Sequence, residues 1–457
     1  MYVSNEKFFE PLTNVISNGK LRLGWGQTGN SNIGGYRWGA SMSRMPTGLG
    51  LGYRQSNIAN LGVKWETQEQ VNVGIDLGFF HERVNLIVDW YKKVSKDMLM
   101  SLQLPSYMGT SGNASSALAA PMGNYGDIEN KGWEISLNTH PLIGAFEWNS
   151  DFQISFNRNK LRALDGTANA QIVGYGQWSD VVSVTNVGES LYNFYGYVCD
   201  GVYEDLEDLQ TSAKPAKYPA DGVFNRTNTV WVGDIKYKDL NGDGVIDEND
   251  RTNIGSPLPK FTFGWTNTFR YKNFDLSLFI NGSYGNKVFN YLGMKLTHMN
   301  SPWSNQLNTV LDRAQIVPID PNKDYSAGVV VNGVTIYNWY DDITNVRVAN
   351  AGATIPRASI QDPNDNDRIS DRYIEDGSYI RLKNITLGYT FPGKIIKKWG
   401  LDNLRVYANI QKLLTITGYS GYDPEIGAST ASANVYGLDN GRYPSPTVYS
   451  FGLNVSF

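Results

Sequence analysis

Hydrophobic and polar residues alternate in short runs along most of this chain. In the stretch 448–457, Tyr449, Phe451, Leu453, Val455 and Phe457 share one parity, and Val448, Ser450, Gly452, Asn454 and Ser456 the other. A β-strand turns successive side chains to opposite faces, so this run has one apolar face and one small or polar face. The pattern recurs in Val71, Val73, Ile75, Leu77 and Phe79, then in Val84, Leu86, Val88 and Trp90. It continues in Trp133, Ile135 and Leu137, and in Phe146, Trp148, Phe152, Ile154 and Phe156, which face Glu147, Asn149, Asp151, Gln153, Ser155 and Asn157. Phe261, Phe263, Trp265 and Phe269 carry it on, followed by 274–283, by Ile385, Leu387, Tyr389 and Phe391, and by Leu404, Val406, Ala408 and Ile410. With a first strand at 21–27, after a turn at Asn18-Gly19, this predicts about ten antiparallel strands. Helical patterning is confined to 203–210, 305–314 and 394–399.

The connections alternate. Tight turns fall at His81-Glu82, 141–145, Tyr271-Lys272-Asn273 and 392–402, and long loops at 29–68, 94–125, 159–259, 284–377 and 411–446. Outer-membrane β-barrels have this rhythm, with short periplasmic turns and long outer loops. In hydrocarbon an unpaired backbone polar group costs several kcal/mol, so a spanning sheet must close on itself. The apolar rows carry no Lys or Arg in their central stretches, where one facing lipid costs roughly 2–4 kcal/mol. Trp90, Trp133, Phe146, Trp148, Phe391 and Phe457 lie near strand ends, as headgroup girdles do. The competing expectation is a soluble sandwich, with Phe146, Trp148, Ile154, Leu387 and Leu453 sharing a closed interior.

Composition narrows this little. The 457 residues carry a net charge of -4, with 41% hydrophobic and 13% aromatic content, so no nucleic-acid partner is implied. The one cysteine, Cys199, makes no disulfide framework and reads as a small apolar thiol. No window has the ~18 apolar residues of a membrane helix, and 1–20 lacks the basic and apolar regions of a signal peptide.

The sharpest chemical motif is 239–250, DLNGDGVIDEND. It matches positions 1, 3, 5, 6 and 8 of the twelve-residue calcium loop, which nominates Asp239, Asn241, Asp243, Val245 through its carbonyl, Asp247 and Asp250 as Ca2+ ligands. Asp250 stands where a glutamate gives longer reach, and the flanks are not helical, so the expected role is to pin a loop. The plainer alternative is an Asp/Asn/Gly turn without an ion. Gly24, Gly26 and Gly29 fit G-x-G-x-x-G, but no helix is expected after them to hold a pyrophosphate. His81, His140 and His298 show no metal-ligand spacing, Ser420 lacks a nucleophile-elbow context, and Glu147 and Asp151 read as lumen lining, so no enzyme is expected. Trp178, Trp231, Trp303, Trp339 and Tyr340 lie in long loops, where they could stack on sugars or pack loop against loop.

Four runs resemble one family. GDIENKGWEISLN (126–138), DIKYKDLNGDGVIDENDRTNIGSPLPKFTFG (234–264), DGSYIRLKNITLGYTFP (376–392) and GYDPEIG (421–427), with the terminal Phe457, are similar to the SusC/RagA family of TonB-linked outer-membrane transporters. The likeness runs from about 21 to 457. It implies a barrel of about 22 strands with a plug, a TonB-contacting segment, import of glycan or peptide fragments, and a SusD-like surface lipoprotein as lid. By that likeness the chain, 1–457, is the C-terminal portion of such a barrel, with outer insertions at about 160–259 and 284–377. The plug, TonB box, signal peptide and first half of the barrel would lie outside it. The implied partners are that plug and half-barrel, the lipoprotein, TonB through the missing part, membrane lipid and the substrate. The alternative is a secreted all-β carbohydrate-binding module with a calcium loop, which would need no detergent.

Overall fold

The computed structural model describes residues 4, 6–12, 15–30, 35–36, 38–101, 107, 109, 117–164, 170–177, 179–427 and 434–457. Its main element is one ten-stranded sheet: β1 Ile16–Asn30, β2 Glu66–Phe79, β3 Val84–Ser101, β4 Met122–Leu142, β5 Phe146–Ala163, β6 Phe261–Tyr271, β7 Phe274–Tyr284, β8 Tyr379–Thr390, β9 Asn403–Thr417 and β10 Val448–Ser456. Each strand pairs antiparallel with the next in sequence, so the sheet is a plain meander. Among the described residues β1 and β10 each pair on one side only.

Register sets the faces. Leu23, Val73, Trp90, Trp133 and Phe156 are successive cross-strand partners, so five strands contribute to one apolar row. At the other end of the sheet Leu387, Ala408 and Phe451 form another. These rows are open to the outside: Leu23 is 72% exposed, Leu387 49%, Phe451 84% and Leu453 60%. Phe146 is exposed too, while Trp148 and Ile154 are partly so. A soluble sandwich would enclose these five test residues, and the sheet does not. Polar residues that interrupt the apolar face include Ser150 and Asn267, which sit opposite each other. The Trp265 indole N–H donates to Ser150 Oγ at 2.8 Å and the Trp148 indole N–H to Asn267 Oδ1 at 2.9 Å. Satisfied in this way, they escape most of the penalty of a bare polar group in lipid.

The other face is polar and tied across strands. Arg22 reaches over Gly74 to Asp76 (2.6 Å) and Asp89 (2.9 Å). Arg405 reaches over Gly388 to Asp275, with Nε 3.0 Å from Oδ1. A Cβ at either glycine would collide with these side chains, so a glycine in the middle strand lets the ion pair lie flat on the sheet.

Strand ends depart most from expectation. Asn18-Gly19 is no turn; both residues pair within β1, beside a bulge. The stretch 29–68 contains a hairpin, Met42–Thr47 with Gly50–Gln55, and the start of β2. β3 and β4 stay paired as far as Ser101 opposite Met122, deep into the expected loop 94–125. The cause is visible at the girdle. Trp90 faces Trp133, and the next pair on that side is Lys92 opposite Lys131, so the regular apolar row ends there. The ladder continues above the apolar band, but the alternation that reveals a strand does not. Of the helices, 203–210 becomes an α-helix at Leu206–Thr211 capped by Asp205, and 305–314 a 3-10 turn at Asn308–Asp312. The stretch 394–399 holds a short α-helix, Gly393–Ile396, continued by a 3-10 turn that Gly400 ends at φ +72°. The helix Tyr291–Thr297, capped by Asn290, has no counterpart in the sequence reading.

Candidate functional site

The two long insertions, between β5 and β6 and between β7 and β8, fold together into a head above one rim of the sheet. Val202, Trp231, Val232, Ile235, Tyr237 and Ile246 of the first share a core with Ala314, Ile343, Val346, Val348 and Ala353 of the second. A second core joins Val182 and Phe194 to Phe289, Tyr291, Met294 and Tyr373, and adds Val435 and Leu438 from the β9–β10 loop. Three outer loops thus depend on one another for burial.

A charged network runs through the first seam. Asp234 is fully buried and accepts Arg357 Nε at 2.7 Å, the Trp231 N–H at 2.8 Å and the Asn366 amide at 3.2 Å. The Asn366 backbone N–H donates to Asp362 at 2.9 Å. Asp362 and Asp367 in turn flank His298, at 2.7 Å from Nε2 and 3.2 Å from Nδ1. Among the described residues this is the one grouping of three His, Cys, Asp or Glu ligand atoms compact enough for a metal. Both ring nitrogens face carboxylates, however, so the arrangement suits an imidazolium that donates twice. Burial alone would lower the His298 pKa, but the two carboxylates outweigh it and raise it to about 9.

A pH dependence follows. A raised folded-state pKa means that the stabilisation is complete below the ordinary histidine value of about 6.5 and fades as pH climbs through about 9. The difference corresponds to no more than about 3 kcal/mol. The protection factors of the head's amides, with the base-catalysed intrinsic exchange rate divided out, are expected to fall between pH 7 and 9.5, and His298→Gln to flatten that dependence. An unchanged profile in the variant would show that His298 is not the titrating group.

The loop 239–250 winds tightly on itself. Asp239 accepts the Gly242 N–H at 2.6 Å and the Gly244 N–H at 2.7 Å. Asn241 accepts the Asp243 N–H, and Asp243 the Val245 N–H, each at 2.9 Å. Gly242 and Gly244 take φ of +77° and +82°, which favour glycine. The Gly244 N–H is the main cause that holds the Asp239 carboxyl below its ordinary range. Asp247 caps the short turn Glu248–Asp250. Asp250 differs from the others. It is fully buried, and its two oxygens accept the Leu240 and Asp247 N–H groups at 2.8 Å. It closes the loop, while Asn241, Asp243 and Asp247 are exposed hard oxygen donors and Asp239 is a half-buried one. The donor set and the glycine-bearing turn fit a calcium ion. The carboxylates have not gathered into a cluster of three on their own.

The other candidates have structural duties or none. Gly24, Gly26 and Gly29 lie inside β1, with no helix at Asn30, so the nucleotide reading fails. His81 sits in the β2–β3 turn at φ +58°, and His140 Nδ1 is 2.6 Å from Asn149 Oδ1. Ser420 donates its hydroxyl to Glu375 at 2.7 Å, an anchor rather than a nucleophile. Burial pushes the Cys199 thiol up to about 12, which makes it inert. Trp231 is core, Trp339 packs against that core, Tyr340 lies under the Arg226 guanidinium at 5.0 Å, and Trp303 is exposed. Trp178 lies outside the described residues.

No family model matches the chain. Whole-chain likenesses do. TonB-dependent receptor P3 of Formosa agariphila is 32% identical over 467 aligned residues, covering 100% of this chain and 41% of the receptor. TonB-dependent receptor SusC of Bacteroides thetaiotaomicron is 27% identical, covering 100% of this chain and 39% of its own length. Among solved structures, the RagAB peptide transporter superposes on the whole chain with a TM-score of 0.70 at 20% identity, over 42% of that structure's chain. The chain belongs to the SusC/RagA kind of TonB-dependent receptor. It spans about 40% of the length of the curated relatives it matches.

In a SusC/RagA-type receptor the sheet is outer-membrane wall, with tight turns at the periplasmic rim and the head outside. Two of the family runs are each other's partners in this receptor. Arg381, of DGSYIRLKNITLGYTFP, is 2% exposed on the lumen face of β8. It pairs with Asp423 (2.6 Å) and Glu425, both of GYDPEIG, and donates to Thr415 at 2.9 Å. Lys412 adds a second pair to Asp423 at 3.1 Å. Sequence reasoning missed Arg381, Asp234 and Arg357 as anchors. The one available signal was an arginine inside an otherwise apolar-alternating strand.

Proposed function

We propose that this chain is the C-terminal ten-strand portion of the wall of a TonB-dependent importer of oligosaccharide or peptide nutrients. The observation that supports this best is the open meander: apolar rows bare on one face, a charged and glycine-bearing opposite face, and, among the described residues, an unpaired strand edge at each end. Such edges aggregate unless another sheet completes them. The completing half would bring the plug and the segment that TonB contacts. The head, with its shared cores, is the surface that meets substrate and a SusD-like lipoprotein. The chain carries out no covalent chemistry in this reading. Co-expression with the remaining half should yield a heat-modifiable, detergent-soluble barrel, and uptake of the nutrient should vanish when TonB is deleted. A chain that is monodisperse in plain buffer would overturn the reading.

The loop 239–250 belongs to the same proposal. Asp239, Asn241, Asp243, Asp247 and the Val245 carbonyl would hold a structural Ca2+, with Asp250 closing the loop behind them. The ion would supply charge compensation to carboxylates on an exposed turn. Chelation is expected to raise proteolysis within 239–250 and to lower the stability of the head. At a hundredfold excess of calcium over its dissociation constant the loss is about 2.7 kcal/mol. Asp243→Ala should remove the calcium dependence. Identical unfolding with and without chelator would reduce the loop to a turn.

A further inference from the structure

A cavity of about 530 Å3 opens at the seam of the two insertions. Two arginines of its wall sit over tyrosine rings. Arg251 sits 4.9 Å from the Tyr195 ring centre, and Arg368 sits 5.3 Å from those of both Tyr197 and Tyr237. Arg251 Nη2 donates to the Val181 and Tyr195 carbonyls at 2.7 and 3.4 Å, while its buried Nε has no partner. Among the described residues neither guanidinium has a carboxylate within 4.0 Å.

The other charges divide clearly. Lys295 and His298 share Asp367, and Asp180 accepts the Tyr291 hydroxyl at 2.7 Å. That leaves Asp247, Glu248 and Asp365, all exposed and, among the described residues, in no ion pair, against the half-buried arginines; Asp247 is turned to its own cap on 248–250, so Glu248 and Asp365 are the free carboxylates of the rim. The site is therefore dipolar, with uncommitted cations inside and uncommitted anions at the rim. A simple anion would be repelled by the rim and a simple cation by the wall. A solute with a carboxylate at one end and an ammonium at the other satisfies both, and guanidinium–carboxylate pairs are the strong, oriented kind. The volume lies in the small-ligand range of roughly 300–1,000 Å3.

We propose that this seam cavity binds a small zwitterion of amino-acid to dipeptide size, its carboxylate held by Arg251 and Arg368 and its ammonium by Glu248 and Asp365. Arg251 and Glu248 come from the first insertion and Asp365 and Arg368 from the second, so the ligand fastens one to the other. The binding stands apart from import; only its biological meaning rests on the importer reading.

Calorimetry on the whole receptor in detergent tests it, with glycylglycine, its N-acetyl form, its C-terminal amide and glucuronate as probes. Saturable binding of glycylglycine is expected, weaker by about tenfold or more for each blocked form. Arg368→Gln should abolish it. Because that variant removes two ring contacts, Glu248→Gln, at an exposed site, is the second arm. It should weaken glycylglycine and leave the N-acetyl form unchanged. Equal binding of the blocked forms or of glucuronate, or no binding at millimolar concentration, overturns the proposal. Uptake without this binding would sink the cavity alone, whereas this binding without any uptake would sink the importer reading alone.

Discussion

Replacing Arg357 with methionine is expected to destabilise the outer head by roughly 3–5 kcal/mol, the usual consequence of stranding one member of a buried ion pair. Asp234 would keep the Trp231 N–H and the Asn366 amide but lose the one cationic partner it has among the described residues. Solvent cannot replace it, because Asp234 is fully buried and Arg357 only 6% exposed. The loss should be local to the head, since the wall strands do not contribute to this network. Hydrogen exchange reads it directly. The Ile235 N–H, which donates to Asn366, and the Arg357 N–H, which donates to Gly233, should exchange about two to three orders of magnitude faster. The double variant Asp234→Leu/Arg357→Met should regain most of the loss, since an apolar pair of similar volume often serves as well as a buried ion pair. If the single variant exchanges like the parent, the pair does not hold the insertions together.

The second large effect is expected at Arg381. It is even more buried than Arg357, but on the lumen face, and it holds the loop between β9 and β10 against the wall. Arg381→Met leaves Asp423 with Lys412 alone and Glu425 with a distant Lys383 at 4.0 Å. A loss near 3 kcal/mol is expected, at the lower end for broken buried pairs, because Lys412 still compensates Asp423. The 421–427 segment should become a site of proteolysis while the barrel stays heat-modifiable. A double-mutant cycle with Asp423→Asn should give a coupling of about 1–3 kcal/mol. Strict additivity would mean that the loop is held by packing of Val435 and Leu438 rather than by this pair.

Both effects involve residues that looked ordinary in the sequence. Asp234 and Arg357 stand 123 positions apart, and Arg381 and Asp423 stand 42 apart. An ionic partner at such distance leaves no local mark, since nothing in the neighbouring residues changes when the partner is present. His298 looked like a solitary histidine for the same reason, with Asp362 supplied from 64 positions away. The calcium loop is the opposite case. Its donors lie within twelve residues, so spacing alone exposed them, though not that Asp250 would be buried and turned to the backbone.

The wall was written in the order of residues: ten strands, their apolar parity, their tight turns and the bare face of Leu387, Phe451 and Leu453. That legibility has a physical basis, because each strand must satisfy lipid on one side and water on the other, and the period of two is a local property. Where that demand stops, at the Lys92–Lys131 pair, the strands ran on unseen, since hydrogen-bonded ladders do not require alternation. The head was decided only in three dimensions. Its cores and ion pairs join insertions separated by whole strands, and burial there is shared among loops that carry no periodic signal of their own.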